Sequence, residues 1–269
     1  MPSDPAATLD LLVRAHHDVF DGLLVATDDL DADGWATPTG CPGWDVHDQL
    51  AHCVGIERRL LGDEEVDPHV QVADAPHLTD EVKRHLERDV AARRGWDPQR
   101  LREEAQTTFA RRREELAALR PQHLAEQAAG GPLGPMRRSS LLRMRLFDLG
   151  CHERDVRAAV GRLDGFAGAH LEVVTEQALR GWAGVWARSA TGHLRLVVAG
   201  AEPVTLDLAA GRLTRGGDGP TPDATLALTV PELLALASGR SDAPAVGDLE
   251  VTGDRALVGD VLGRAALTP

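Results

Sequence analysis

The chain has 269 residues, room for two compact domains, and 43% hydrophobic residues, enough to bury a sizeable core without covalent staples. Its 29 Lys and Arg against 42 Asp and Glu give a net charge of −13, and the short arginine runs are interleaved with acids, so a nucleic acid partner is not expected. There is no run of about eighteen apolar residues, no basic start followed by an apolar stretch and no disulfide framework among three scattered cysteines, so a cytoplasmic protein without a membrane span is expected.

Leu9, Leu12, Val13, His16, Val19, Phe20, Leu23 and Leu24 recur at helical spacing and predict a first helix ending near Asp29. Pro38, Gly40, Pro42 and Gly43 then force a shaped loop, which Trp35 and Trp44 are expected to anchor onto the bundle. Asp45 stands as a helix cap, with Asp48 three residues on as a variant capping box, and Leu50, Val54 and Leu61 form the stripe of a second helix closing near Gly62. Residues 63–78 read as a loop. Helical pattern runs over 79–94, breaks at GWDP and continues over 98–119. The glycine- and proline-bearing stretch 127–135 precedes a last bundle helix over 139–160, with Leu142, Leu146, Leu149 and Val156 facing the core.

Composition changes near Gly161. A helix over 167–189 carries Trp182 and Trp186, after which the period switches to alternation. HLRLVVAG, PVTLDLAAGRLTRG and ATLALTV read as strands, VPELLALASG as a short helix, AVGDLEVTGD as a last strand and the remainder as a closing helix.

Asp148 and His152, four apart on the last bundle helix, share one face and can chelate a divalent metal, because the backbone already fixes their separation. His52, from the second helix, can complete three protein ligands and leave a fourth position open, as catalytic zinc sites do. Asp155 extends the same face, and Asp48, four residues before His52, can orient its imidazole. Each has an ordinary alternative: a surface ion pair for Asp148 and His152, a satisfied flank histidine for His52, a capping acid for Asp48, and pairing with Arg154 or Arg157 for Asp155. Cys53 and Cys151 are expected as small buried thiols, and Cys41 as part of the loop's packing. For an anionic substrate, Arg84 and Arg145 are candidate cations, with Arg138 and Arg143 beside them and Arg212, Arg215 and Arg240 in the second half.

The segments PTGCPGWDVHDQLAH and MRLFDLGCHERDVRAAVGR resemble the mycothiol-dependent maleylpyruvate isomerase family, and the ending LEVTGDRALVGDVL is similar to that family's closing strand and helix. The resemblance covers nearly the whole chain. It implies a DinB-like metal-binding bundle joined to a smaller domain related to sterol-carrier proteins. It also implies that His52, Asp148 and His152 are zinc ligands, with aspartate where the characterised isomerase has glutamate. Mycothiol, a sugar-linked cysteine derivative, is then the thiol cosubstrate, held as its thiolate against an electrophilic carbon.

The expected fold class is α+β: an N-terminal DinB-like four-helix bundle over 1–162, then a smaller α+β domain over 163–269. The expected function is zinc-dependent thiol chemistry, as an isomerase or transferase, on a small electrophilic substrate. The alternative is a non-catalytic metal-containing binding or regulatory module. A hydrolase using metal-activated water ranks lower, because Glu57, five residues past His52, points away from it on a helix.

Overall fold

The computed structural model describes residues 4–63, 69–72, 74–128, 134–217 and 219–268. Chain contacts divide it into two compact units, Met1–Val173 and Val174–Pro269.

In the first unit, α1 (Pro5–Ala26) begins at the Asp4 cap, whose carboxylate accepts the Ala7 N–H at 3.0 Å, with Pro5 in the first turn where a missing N–H costs nothing. Of the expected stripe, Leu9, Leu12, His16, Val19, Phe20 and Leu23 are buried, while Val13 and Leu24 pack partly buried against the same core. A one-turn helix, α2 (Ala32–Trp35), was not legible in the periodicity; Asp31 caps it and Trp35 is buried. The second long helix is α3 (Val46–Leu60), with Asp45 accepting the Asp48 N–H. Only this half of the expected capping box forms, because the Asp48 carboxylate turns to Arg94. Leu61, expected in the stripe, is instead the C-cap and only partly buried.

The pattern expected from Thr79 becomes α4 (Glu81–Ala91), which starts later because Asp80 serves as its cap. The GWDP break supplies Asp97 and Pro98 to start α5 (Pro98–Ala117). Two short paired strands, β1 (Gln127–Ala128) and β2 (Met136–Arg137), flank the glycine- and proline-bearing stretch, of which 129–133 lie outside the described residues, as do 64–68 and 73 of the expected loop 63–78. The last bundle helix is α6 (Arg138–Ala159). Helix α1 packs on α5 and α6, α3 packs on the same two, and α4 lies against α3, so four long helices enclose one core. Within it Phe20 stacks on Phe109 with ring centroids 4.5 Å apart, among fully buried Leu12, Leu23, Leu50, Leu101, Leu146 and Leu149.

His16 is a polar member of that core. Its Nδ1 donates to the Leu12 carbonyl at 2.8 Å, its Nε2 has no partner, and burial lowers its pKa from 6.5 to about 4. The unfolded chain binds this proton near pH 6.5 and the native chain only near pH 4. Stability therefore falls as pH drops through that window, by roughly 3 kcal/mol from this group. Denaturant titrations at pH 7 and pH 4 are expected to show His16→Leu losing roughly 3 kcal/mol less than wild type between the two; equal losses would refute the assignment.

The division between the units falls within α7 (His170–Trp186). The second unit holds a sheet of β3 (His193–Val198), β4 (Val204–Asp207), β5 (Arg212–Arg215), β6 (Ala224–Leu228) and β7 (Glu250–Gly253), with α8 (Val230–Ala237) and α9 (Arg255–Leu262) between and after the later strands. The sheet order is β5-β4-β3-β6-β7, antiparallel except where β3 and β6 run parallel. Leu194, Leu196 and Val198 are buried while their neighbours are half-exposed, the alternation read from the sequence. Trp182 and Trp186 stack at 4.5 Å, and the Trp182 indole donates to the Ala265 carbonyl at 2.8 Å. The chain is thus α+β, a helical bundle followed by a smaller mixed unit. Among the described residues no helix is long and apolar enough to cross a membrane.

Candidate metal centre

Two helices bring His52, Asp148 and His152 together. His52 lies midway along α3, and Asp148 and His152 lie one turn apart on α6, which packs against it. One ligand atom from each falls within 4.8 Å of the others. His52 Nε2 is 3.4 Å from one Asp148 oxygen, and His152 Nε2 is 3.6 Å from the other. Two ligands about 2.1 Å from a tetrahedral ion lie about 3.4 Å apart, so the spacing fits a zinc-sized cation. The histidine side chains are 1% and 5% exposed and Asp148 29%, so the cluster opens to solvent on the carboxylate side.

The donor set also fits a cation electrostatically. Neither nitrogen of the buried His52 ring has a hydrogen-bond partner, a costly state unless something takes a lone pair. Burial, reinforced by the neighbouring His152, lowers the His52 pKa to about 4, so the ring is neutral at pH 7 with its lone pair available. Burial alone would raise the Asp148 pKa, but Arg145 and the two histidines hold it well below the usual carboxylate range.

Beneath Asp148 lies a layer of charge that the sequence reading missed. Arg145 pairs with Asp148 and also donates to Glu57 Oε1 from Nη2 at 2.9 Å and from Nε at 3.1 Å. Arg112 donates to the other Glu57 oxygen at 2.6 Å and also pairs with Glu115. Burial pushes Glu57 up, yet the two guanidiniums hold its carboxyl below the ordinary value, so it is a fixed anion. Glu57, set aside as pointing away from His52, thus belongs to the support of Asp148 through Arg145.

The loop before α3 covers the imidazoles. Trp44 lies with its ring centroid 4.9 Å from that of His52 and 5.8 Å from that of His152, and its indole donates to Glu87 at 2.7 Å. Glu87 pairs with Arg94, which reaches Asp48, so the loop is tied to α4 and α3 together. Gly43, at φ +82°, is required here, because a Cβ would stand 2.2 Å from the His77 ring. Gln49, on the α3 face of His52, accepts a hydrogen bond from His152 Nδ1. Its position three residues before His52 was the only sequence signal for it.

The other candidates fall as follows. Asp48 is buried and bonded to Arg94 rather than to His52. Asp155 is fully buried and accepts from Arg154 at 3.3 Å. Arg145 is buried beneath Asp148, whereas Arg84 pairs with Asp74 at 3.0 Å. Cys53 and Cys151 are buried and outside any disulfide, and Cys41 is half-buried in the loop.

The chain thus joins a helical bundle carrying a His/Asp/His cluster to a mixed α+β unit. The family model for the mycothiol maleylpyruvate isomerase N-terminal domain matches residues 13–157, and that for the SCP-2 sterol transfer family matches residues 175–261. The first match spans more than half of the chain, which belongs to the mycothiol maleylpyruvate isomerase N-terminal domain family. Among solved structures, a crystal structure of the mycothiol-dependent maleylpyruvate isomerase is similar at a TM-score of 0.58 and 13% identity, over 91% of this chain and 92% of that one. A histidine-to-alanine mutant of that isomerase gives 0.57 and 12% over the same shares. At these identities the likeness establishes a shared fold. No curated protein sequence matches the chain.

Proposed function

We propose that this protein is a zinc-dependent enzyme of thiol chemistry, an isomerase or S-transferase that uses mycothiol on a small electrophilic substrate. The observation that carries the reading is the convergence of His52, Asp148 and His152, with a solvent-facing side at Asp148. Zinc bound there would supply Lewis acidity that keeps a thiol sulfur deprotonated near pH 7. Family membership and the shared isomerase fold support mycothiol as that thiol.

The protein's own residues contribute the rest. His52 is a neutral donor, and it and His152 lie against Trp44, which keeps water off one flank of the site. Arg145 fixes the Asp148 carboxylate in its charged form, and Glu57 holds Arg145 in place. With Glu57 committed to two arginines, a free carboxylate base for water activation is missing at this position, which favours thiol chemistry over hydrolysis.

The test is metal analysis of untagged protein, followed by mycothiol titration of a cobalt-substituted sample. About one metal per chain and a new sulfur-to-cobalt charge-transfer band are the expected results. Metal without any thiol response would move the function to a non-catalytic binding module or to metal-activated water. A folded protein that takes up no zinc would overturn the metal reading itself.

A further inference from the structure

The loop that covers the site also fixes the proton of one of its histidines. The Thr39 hydroxyl donates to the Trp44 carbonyl at 2.9 Å and accepts the Cys41 N–H at 3.3 Å. With its proton on that carbonyl the hydroxyl accepts toward Gln49, and the group facing it at 2.7 Å is Gln49 Nε2. This places the amide with Oε1 against His152 Nδ1. A carbonyl oxygen only accepts, so Nδ1 carries a proton, and in the neutral ring Nε2, on the Asp148 side, keeps the lone pair. The opposite tautomer would set two lone pairs against each other inside a fully buried contact and cap the liganding nitrogen with a proton.

We infer that Gln49, oriented by Thr39, is a positioning residue that holds His152 in its Nδ1–H form and so presents Nε2 for metal binding. The inference rests on the metal reading above. An unmade buried hydrogen bond biases the two tautomers by about tenfold or more. A neutral amide also raises the basicity of the ring less than a carboxylate would, so His152 donates without becoming imidazolate-like. Gln49 is wholly buried between α3 and α6, and Leu is a near match for its volume, so the bond can be removed with little change in packing.

The tautomer is read directly from the histidine ring nitrogens by ¹⁵N NMR of metal-free protein, and zinc affinity by competition with a chelator. Wild type is expected to show His152 protonated at Nδ1. Gln49→Leu is expected to mix the tautomers and to weaken zinc binding about 10- to 100-fold, the usual cost of losing such a partner. Gln49→Glu keeps an acceptor at Nδ1 and is expected to retain the tautomer and to stay closer to wild-type affinity than Gln49→Leu does. Thr39→Val releases the amide to turn over and is expected to lie between the two.

His152 protonated at Nε2 in wild type would overturn the inference, as would a Gln49→Leu variant that binds zinc as tightly as wild type. Should Gln49→Leu fail to fold, the wild-type ring spectrum and Thr39→Val decide the question. Wild type that binds no zinc overturns the metal reading instead, a result distinct from zinc held equally by both proteins.

Discussion

Replacing His52 by alanine is expected to cost more than about 100-fold in zinc affinity and to abolish thiol-dependent turnover, while leaving the bundle folded. Loss of an outer partner of a metal ligand already costs up to about 100-fold, so loss of a ligand from a set of three should exceed it. The structural cost is smaller, because neither nitrogen of His52 makes a hydrogen bond and none is broken by its removal. Loss of ring packing is offset by removal of a buried polar group without a partner, and we expect less than about 2 kcal/mol in denaturant unfolding. Full zinc content in the variant would place the metal elsewhere. A metal-free variant that keeps turnover would separate the metal from the chemistry.

Glu57→Ala is expected to be the most destabilising single change at the site, by about 3–5 kcal/mol. Glu57 is wholly buried and is the shared anion between the guanidiniums of Arg112 and Arg145, both of which are buried as well. Removing it leaves two buried cations facing each other with only Glu115 and Asp148 at their outer sides, a circumstance in which a lost ion-pair partner is costly. Asp10→Asn provides the control: the Asp10–Arg14 pair is one helical turn apart, with both side chains more than half exposed, so a few tenths of a kcal/mol at most is expected. The sign of the pH dependence follows from the depressed Glu57 pKa: its contribution is present above about pH 4.5 and is lost as pH falls through the lower native value. A loss below about 1 kcal/mol for Glu57→Ala would show that Glu115 and Asp148 suffice to hold Arg112 and Arg145.

What the sequence made legible was local. The α1 stripe, the Asp45 cap and the alternation of β3 each depend on residues within a turn or two of one another. The placing of Asp148 and His152 on one face belongs to that group, because helix geometry alone sets it. That His52 meets them is not contained in any local pattern; it stood beside the reading as a satisfied flank histidine until the family resemblance singled it out. The supports of the site are long-range: Gln49 meets His152 across 103 residues, and Glu57 meets Arg145 across 88. Helical geometry directed Glu57 away from His52, but the long Arg145 side chain links that face of α3 to Asp148 all the same. Asp48 illustrates the opposite error. Its spacing suggested a contact with His52, but a guanidinium from beyond the end of α4 outcompetes the imidazole for its carboxylate.

The Thr39 hydroxyl ties the loop at residues 37–45 to His152 of α6 through a single amide. Fraying of the loop and wandering of the His152 ring are therefore not independent events. Anything that occupies the site quiets the loop, and anything that clamps the loop sharpens the site, by the same free energy in each direction.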